Sequence, residues 1–184
     1  IYNDVNKDGS INDQDRTYMG SPFPSAFGSL LNHLAYRGFE LSILFSYSYG
    51  NSIYNSTRLY TETISLGNQT TAVLDRWKKE GDVTGIPRAS SYNERISTRF
   101  LEDGSYLRLK SLKLSYSFPE SLAGKLNLAH FELYLAGQNL LTLTRYSGMD
   151  PEVNYNTYNP IVLGTDFFTC PQPQTLLFGL CAKF

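Results

Sequence analysis

The sequence is short of the residues on which most catalytic and redox sites are built. Its 184 residues include two Cys, two His, two Met and one Trp. Cys170 and Cys181 stand eleven positions apart at the two ends of one expected strand. At about 3.3 Å per residue that is roughly 36 Å, far beyond the roughly 7 Å a disulfide tolerates, so two free thiols are expected. His33 and His130 each stand alone in an expected strand, and no GxSxG, HExxH or CxxC segment occurs. That removes the familiar nucleophile, zinc and dithiol sites. GxG-like stretches do not follow a strand and open a helix, as a nucleotide site requires. The adjacent carboxylates Glu102 and Asp103 precede Gly104 and read as solvated loop residues.

Charge of one sign is also missing. Lys and Arg number 16 against 17 Asp and Glu, for a net charge of −1, and no basic stripe is present. Nucleic acid is therefore not an expected partner. No apolar run approaches the roughly 18 residues of a membrane helix, and no charged-then-apolar signal segment opens the chain. If a membrane is crossed, strands must cross it. What the chain does have is 14 Tyr and 11 Phe with abundant Gly, Ser, Thr and Asn, a composition that favours pleated strands and polar loops and an all-β class.

The strands can be read from period-two alternation. Over residues 39–49, Phe39, Leu41, Ile43, Phe45, Tyr47 and Tyr49 fall on one face. Glu40, Ser42, Leu44, Ser46 and Ser48 fall on the other. Eleven residues suit a tilted membrane strand. Residues 28–36 can pair with it through a tight Arg37-Gly38 turn that puts Leu30, Leu34 and Tyr36 on the face of Phe39, with Asn32 as the exception. A third strand covers 105–118, with Leu112, Leu114, Tyr116 and Phe118 opposed by Ser111, Lys113, Ser115 and Ser117. A fourth covers 129–143, with Phe131, Leu133 and Leu135 opposed by Glu132, Tyr134, Ala136 and Gln138. The fifth is 175–184, with Leu176, Phe178, Leu180, Ala182 and Phe184 opposed by Thr175, Leu177, Gly179, Cys181 and Lys183.

Connection lengths alternate: about two and ten residues after Tyr36 and Phe118, but long segments over 50–104 and 144–174. Short turns at one end and long loops at the other are the habit of outer-membrane β-barrels, whose long loops face outside. The expected fold is therefore a transmembrane antiparallel β-barrel. Residues 1–24 form an extracellular loop and 25–184 the barrel, with the C-terminus on the periplasmic side of a bacterial outer membrane. A short helix is expected at 71–79, with Val73, Leu74 and Trp77 on one face and Gly81 past its end.

Two local patterns carry chemistry. In DVNKDGSINDQD, residues 4–15, oxygen side chains fall at positions 1, 3, 5, 9 and 12, Gly at 6 and Ile at 8. This is the EF-hand loop spacing with Asp in the twelfth position. It assigns Asp4, Asn6, Asp8, Asn12 and Asp15 as donors, with the Ser10 carbonyl at the seventh position, and Ca²⁺ as the hard cation, in a structural role. The other pattern is the terminus. Leu176, Phe178, Leu180 and Ala182 at alternate positions before a final Phe184 match the signal read by the barrel-insertion machinery.

Three segments resemble one family closely: KDGSINDQDRTYMGSPFPSAFGSL, STRFLEDGSYLRLKSLKLSYSFP and LYLAGQNLLTLTRYSGMDPEV. Their order and spacing are similar to the C-terminal region of the SusC/RagA family of TonB-dependent outer-membrane transporters, over residues 4–184. The resemblance implies a 22-stranded barrel, of which these are the last five strands. It also implies an N-terminal plug engaged by TonB, a SusD-like lipoprotein over the mouth, and oligosaccharide or peptide cargo. Plug, TonB box and about seventeen strands would lie outside these residues. Membrane barrels need at least about eight strands to close, so five leave two open edges.

A different class fits the same residues: a secreted, Ca²⁺-stabilised β-sandwich that binds carbohydrate on its tyrosines. It would cover the apolar face of the strands with a second sheet, where a barrel leaves that face to lipid. A barrel enzyme lacks its catalytic groups. Tyr54, Tyr60, Tyr92, Tyr155 and Tyr158 are the loop residues placed to touch a sugar or peptide.

Overall fold

The computed structural model describes residues 2–63, 67–89, 96–156 and 163–184. Among these described residues eight strands are formed: β1 (Ala26–Tyr36), β2 (Phe39–Tyr49), β3 (Ser52–Asn55), β4 (Leu101–Asp103), β5 (Tyr106–Ser117), β6 (His130–Thr144), β7 (Thr165–Asp166) and β8 (Thr175–Lys183). The long ones form one antiparallel sheet in the order β1-β2-β5-β6-β8. The short ones form a second sheet in the order β4-β3-β7, with β7 parallel to β3.

The alternation fixes the register. β1 and β2 pair from Tyr36 opposite Phe39 to Ala26 opposite Tyr49. The turn between them needs positive φ at both central residues, and Arg37 and Gly38 supply +47° and +87°. Leu41, Leu114, Leu135 and Phe178 then align across four strands, as do Phe39, Tyr116, Leu133 and Leu180. On the reverse face Glu40, Ser115, Tyr134 and Gly179 align, and beside them Ser42, Lys113, Ala136 and Leu177.

Within β5 the apolar positions change parity, from Leu107 and Leu109 to Leu112 and Leu114. A straight strand would split them between faces. The sheet absorbs the change at Lys110, which has no opposite number between Leu44 and Phe45 of β2. On the β6 side the register shifts at the same place, and Asn139 takes a left-handed φ of +52°. One bulge therefore keeps a continuous apolar face.

Among the described residues nothing covers that face. Leu135 is 49% exposed, Phe178 71% and Leu180 62%. The three-stranded sheet is not a second layer of a sandwich; it packs with the helix α1 (Ser56–Glu62) and short 3₁₀ turns at the long-loop end. Among the described residues the buried apolar side chains are Ile53, Val73, Phe100 and Tyr146 in the long loops and Ala123 in the turn after β5. At the short-turn end the rings of Phe39, Tyr116, Phe118 and Phe131 follow one another at 4.4 to 4.9 Å. An eleven-residue strand rises about 33 Å, or roughly 25 Å along the normal at a tilt near 40°, the height of an outer-membrane apolar band. The chain is thus the wall of a partial barrel, open at β1 and β8.

Some local expectations are corrected. The helix expected over 71–79 is a 3₁₀ helix at Thr71–Asp75. Arg76 leaves it in an extended conformation, and the Trp77 amide donates to the Ile86 carbonyl instead of continuing the helix. Val73 is buried but Leu74 is 67% exposed, so they do not share a face. The ten-residue turn holds a helical turn, α2 (Glu120–Ala123), and a 3₁₀ turn ended by Asn127 at φ +55°. Both cysteines are free, but Cys170 lies ahead of β8 rather than at its end. His130 does not stand alone: its Nε2 is 3.6 Å from Glu132.

Candidate functional site

The long loops are organised by buried ions. Asn55 caps α1, its Oδ1 accepting the Arg58 amide, while its Nδ2 donates to Glu102 at 3.1 Å. Arg58 bridges Glu62 (2.7 Å) and Glu102 (2.8 Å), and Arg99 holds the second oxygen of Glu62. Glu102 also accepts the amide and hydroxyl of Ser147, both at 2.8 Å. Its side chain is only 12% exposed, which corrects the solvated-loop reading, while Asp103 does remain exposed. Burial pushes the Glu102 pKa up, but the hydrogen bonds from Arg58 and Ser147 outweigh it and hold the carboxyl below its ordinary range.

A second cluster joins loop to wall. Arg108, on the polar face of β5, is 2% exposed. It donates to Asp150 at 2.5 Å and to Glu152 at 2.9 Å, and Lys110 reaches Glu152 at 2.8 Å. Asp150 also accepts the amides of Glu152 and Gln172, which closes the 150–172 segment on itself. Burial raises the Asp150 pKa; Arg108 and the two amides overcome it and leave the carboxyl below its usual value. The sequence SGMDPE is therefore the part that fastens this loop to the polar side of the sheet.

The candidate tyrosines fall into different places. Tyr54 is half-buried in β3, its ring 6.3 Å from Phe100, on the wall of an open cavity of about 1790 Å³ between the N-terminal loop and Trp77, Ile86 and Phe100. Tyr60 and Tyr155 come together through Phe167, at centroid distances of 5.2 and 5.0 Å. Tyr92 and Tyr158 lie outside the described residues. Phe167 and Phe168, which complete the group, were missed by the sequence reading. The available signal was a pair of adjacent aromatics inside a polar loop.

The 4–15 loop curls on its own oxygens. Asp4 accepts the amides of Asp8 and Gly9, and Gly9 takes the left-handed φ of +82° the sharp turn requires. Asp15 accepts from Val5 and Asn12, and Asn12 caps a 3₁₀ turn at Asp13–Asp15. The Asn6 and Asn12 amides both donate to Asp8, and the Asn12 amide also lies 3.4 Å from the Ser10 carbonyl. Among the described residues no group of three or more His, Cys, Asp or Glu side chains stands where it could hold a metal, so a cation here needs the amide and carbonyl oxygens as well. Of the terminal residues, Leu176, Phe178, Leu180 and Phe184 are each more than 60% exposed. Ala182 shares their face.

No family model matches the chain. TonB-dependent receptor P3 of Formosa agariphila is 36% identical over the whole chain, which spans 19% of that protein. TonB-dependent receptor P26 of the same organism is 32% identical, again over 19% of its length. TonB-dependent receptor SusC of Bacteroides thetaiotaomicron is 23% identical over the whole chain and 17% of its own. Among solved structures, the RagAB peptide transporter superposes on 95% of the chain and 19% of its own, with a TM-score of 0.81 and 28% identity. The chain thus spans about a fifth of the relatives it matches. With the strand order, the uncovered apolar face and loops of this kind at one end, the chain matches a C-terminal portion of a SusC/RagA-like TonB-dependent receptor.

Proposed function

We propose that these residues serve nutrient import across a bacterial outer membrane, as wall and extracellular loops of a barrel that takes in oligosaccharides or peptides. The observation that carries this is a sheet with one continuous uncovered apolar face and one polar face. Lipid suits the first, and a water-filled, plugged lumen suits the second. The names of the relatives support the reading, and RagAB is a peptide transporter. Of two cargo classes, peptide is the one a structural relative carries. The SusD-like surface lipoprotein, TonB acting through an N-terminal plug, and insertion through Leu176, Phe178, Leu180, Ala182 and Phe184 belong to the same proposal, with the C-terminus periplasmic. Deleting the full-length gene should abolish growth on the cognate oligosaccharide or peptide and leave growth on monomers intact. Unchanged growth on every polymer tried would overturn it.

The residue 4–15 loop is proposed to hold a structural Ca²⁺ through Asp4, Asn6, Asp8, Asn12, Asp15 and the Ser10 carbonyl. The support is the donor spacing and the inward curl. Hard oxygen donors of this kind ligate at about 2.3–2.6 Å. Calorimetric titration of the full receptor with Ca²⁺ should give one binding event that Asp8→Asn weakens at least tenfold; no heat above a chelator control would remove the site.

A further inference from the structure

Four aromatic rings from distant parts of the chain meet at one point. Phe167 is half-buried, and Tyr60, Tyr155 and Phe168 surround it at 5.2, 5.0 and 5.1 Å, inclined to it by 64°, 81° and 72°. The three outer rings are 51%, 54% and 56% exposed. Rings inclined this steeply to one another make an uneven apolar patch and not a flat platform. A pyranose lays its face on a flat open ring, whereas a patch of mixed ring faces and edges suits a compact apolar knob such as a leucine side chain. The charged neighbour Asp166 is turned away, 4% exposed and accepting the Tyr146 hydroxyl at 2.6 Å.

The backbone keeps these rings at the surface. Phe168 sits at φ +50°, a region that bulky residues rarely adopt, and its amide donates to Thr57 Oγ1 at 2.8 Å. Thr57 and Tyr60 share α1, so two of the outer rings are tied together. The Tyr155 amide donates to the Thr165 carbonyl at 2.8 Å, tying in the third ring. Unusual backbone that keeps an apolar ring in solvent points to use of the ring. The same loop is fastened by Asp150 and Glu152 to Arg108 and Lys110, and Arg108 shares the polar face with Ser46 and Thr142. The loop is therefore anchored on the polar side of the wall, the side a cargo passes, and not on the lipid side.

We propose that Tyr60, Tyr155, Phe167 and Phe168 form a site for an apolar side chain of a peptide cargo. This rests on the import reading above and names its ligand. The test uses the full-length receptor purified in detergent micelles. It is titrated with two Gly/Ser peptides of about ten residues that differ only in a central Leu or Ser, and with maltoheptaose. The Leu peptide should bind about tenfold more tightly than the Ser peptide. Tyr155→Ala and Phe168→Gly should each erase that difference, and the second also relieves the left-handed backbone, so the barrel should keep its heat-modifiable mobility. Equal binding of both peptides by the unaltered receptor, or discrimination that survives both substitutions, would overturn the site. So would loss of maltoheptaose binding alone, or loss of a co-purifying lipoprotein with discrimination intact. The import reading stands or falls separately, on growth of the deletion strain.

Discussion

Arg108 and Asp150 are both almost wholly withdrawn from water; Asp150 accepts from Arg108 and from the amides of Glu152 and Gln172, and Arg108 donates to Asp150 and Glu152. Removing one partner of such a pair leaves a buried charge, which costs about 3–5 kcal/mol, whereas replacing both by apolar residues costs much less. Arg108→Met should therefore loosen residues 144–174, read as faster hydrogen exchange in the intact receptor, and Arg108→Met with Asp150→Leu should restore part of the protection. The acid limit follows from the same groups. Glu102 and Asp150 have pKa values below those of the unfolded chain, so their stabilisation is complete above the unfolded value near pH 4 and is lost as pH falls through the folded one. Proteolysis of the loops should be constant from neutral pH to about pH 5 and should rise below about pH 4.

Each strand is a pair of opposed faces, and a substitution should act according to its face. Leu135 lies in the middle of β6 on the uncovered apolar side, level with Leu114 and Phe178. Leu135→Arg should destabilise the inserted barrel by about 2–4 kcal/mol in urea titrations of the refolded receptor, while Gln138→Arg on the polar face should be tolerated. Equal costs at the two positions would show that the faces are misassigned. The last strand carries the proposed insertion signal. Phe184 is 97% exposed beyond the end of β8, so Phe184→Ser should lower the amount of receptor in outer-membrane fractions and leave uptake per inserted molecule unchanged. Normal insertion with impaired uptake would reverse that assignment.

For the molecule as a whole, closure is the governing requirement. β1 and β8 each pair on one side only among the described residues, and lipid offers no hydrogen bonds to an open edge. The 184 residues expressed alone should therefore aggregate or stay unfolded in detergent and give no heat-modifiable band. The full receptor should give one, with β8 protected from exchange on both edges. A folded, monomeric fragment in micelles would contradict this.

Much of the wall was legible in the sequence because a strand writes its two faces as alternate letters. Phe39 to Tyr49 and the Arg37-Gly38 turn are enough to set the first hairpin and its register. The parity change at Lys110 was present in the sequence too, but one strand cannot say whether its partner bulges or its face turns over; only the pairing with β2 and β6 decides. The loops were least legible. Glu102 looked like a solvated turn residue beside Gly104, and its burial depends on Asn55, Arg58 and Ser147, about 45 residues away on either side. Tyr60 and Tyr155 were picked out as single exposed tyrosines, and nothing local could bring them to Phe167. Alternation is a short-range property of the pleated backbone and survives in the sequence, whereas ion pairs and ring clusters between loops are made by chain closure over long separations, and the tertiary structure alone determines them.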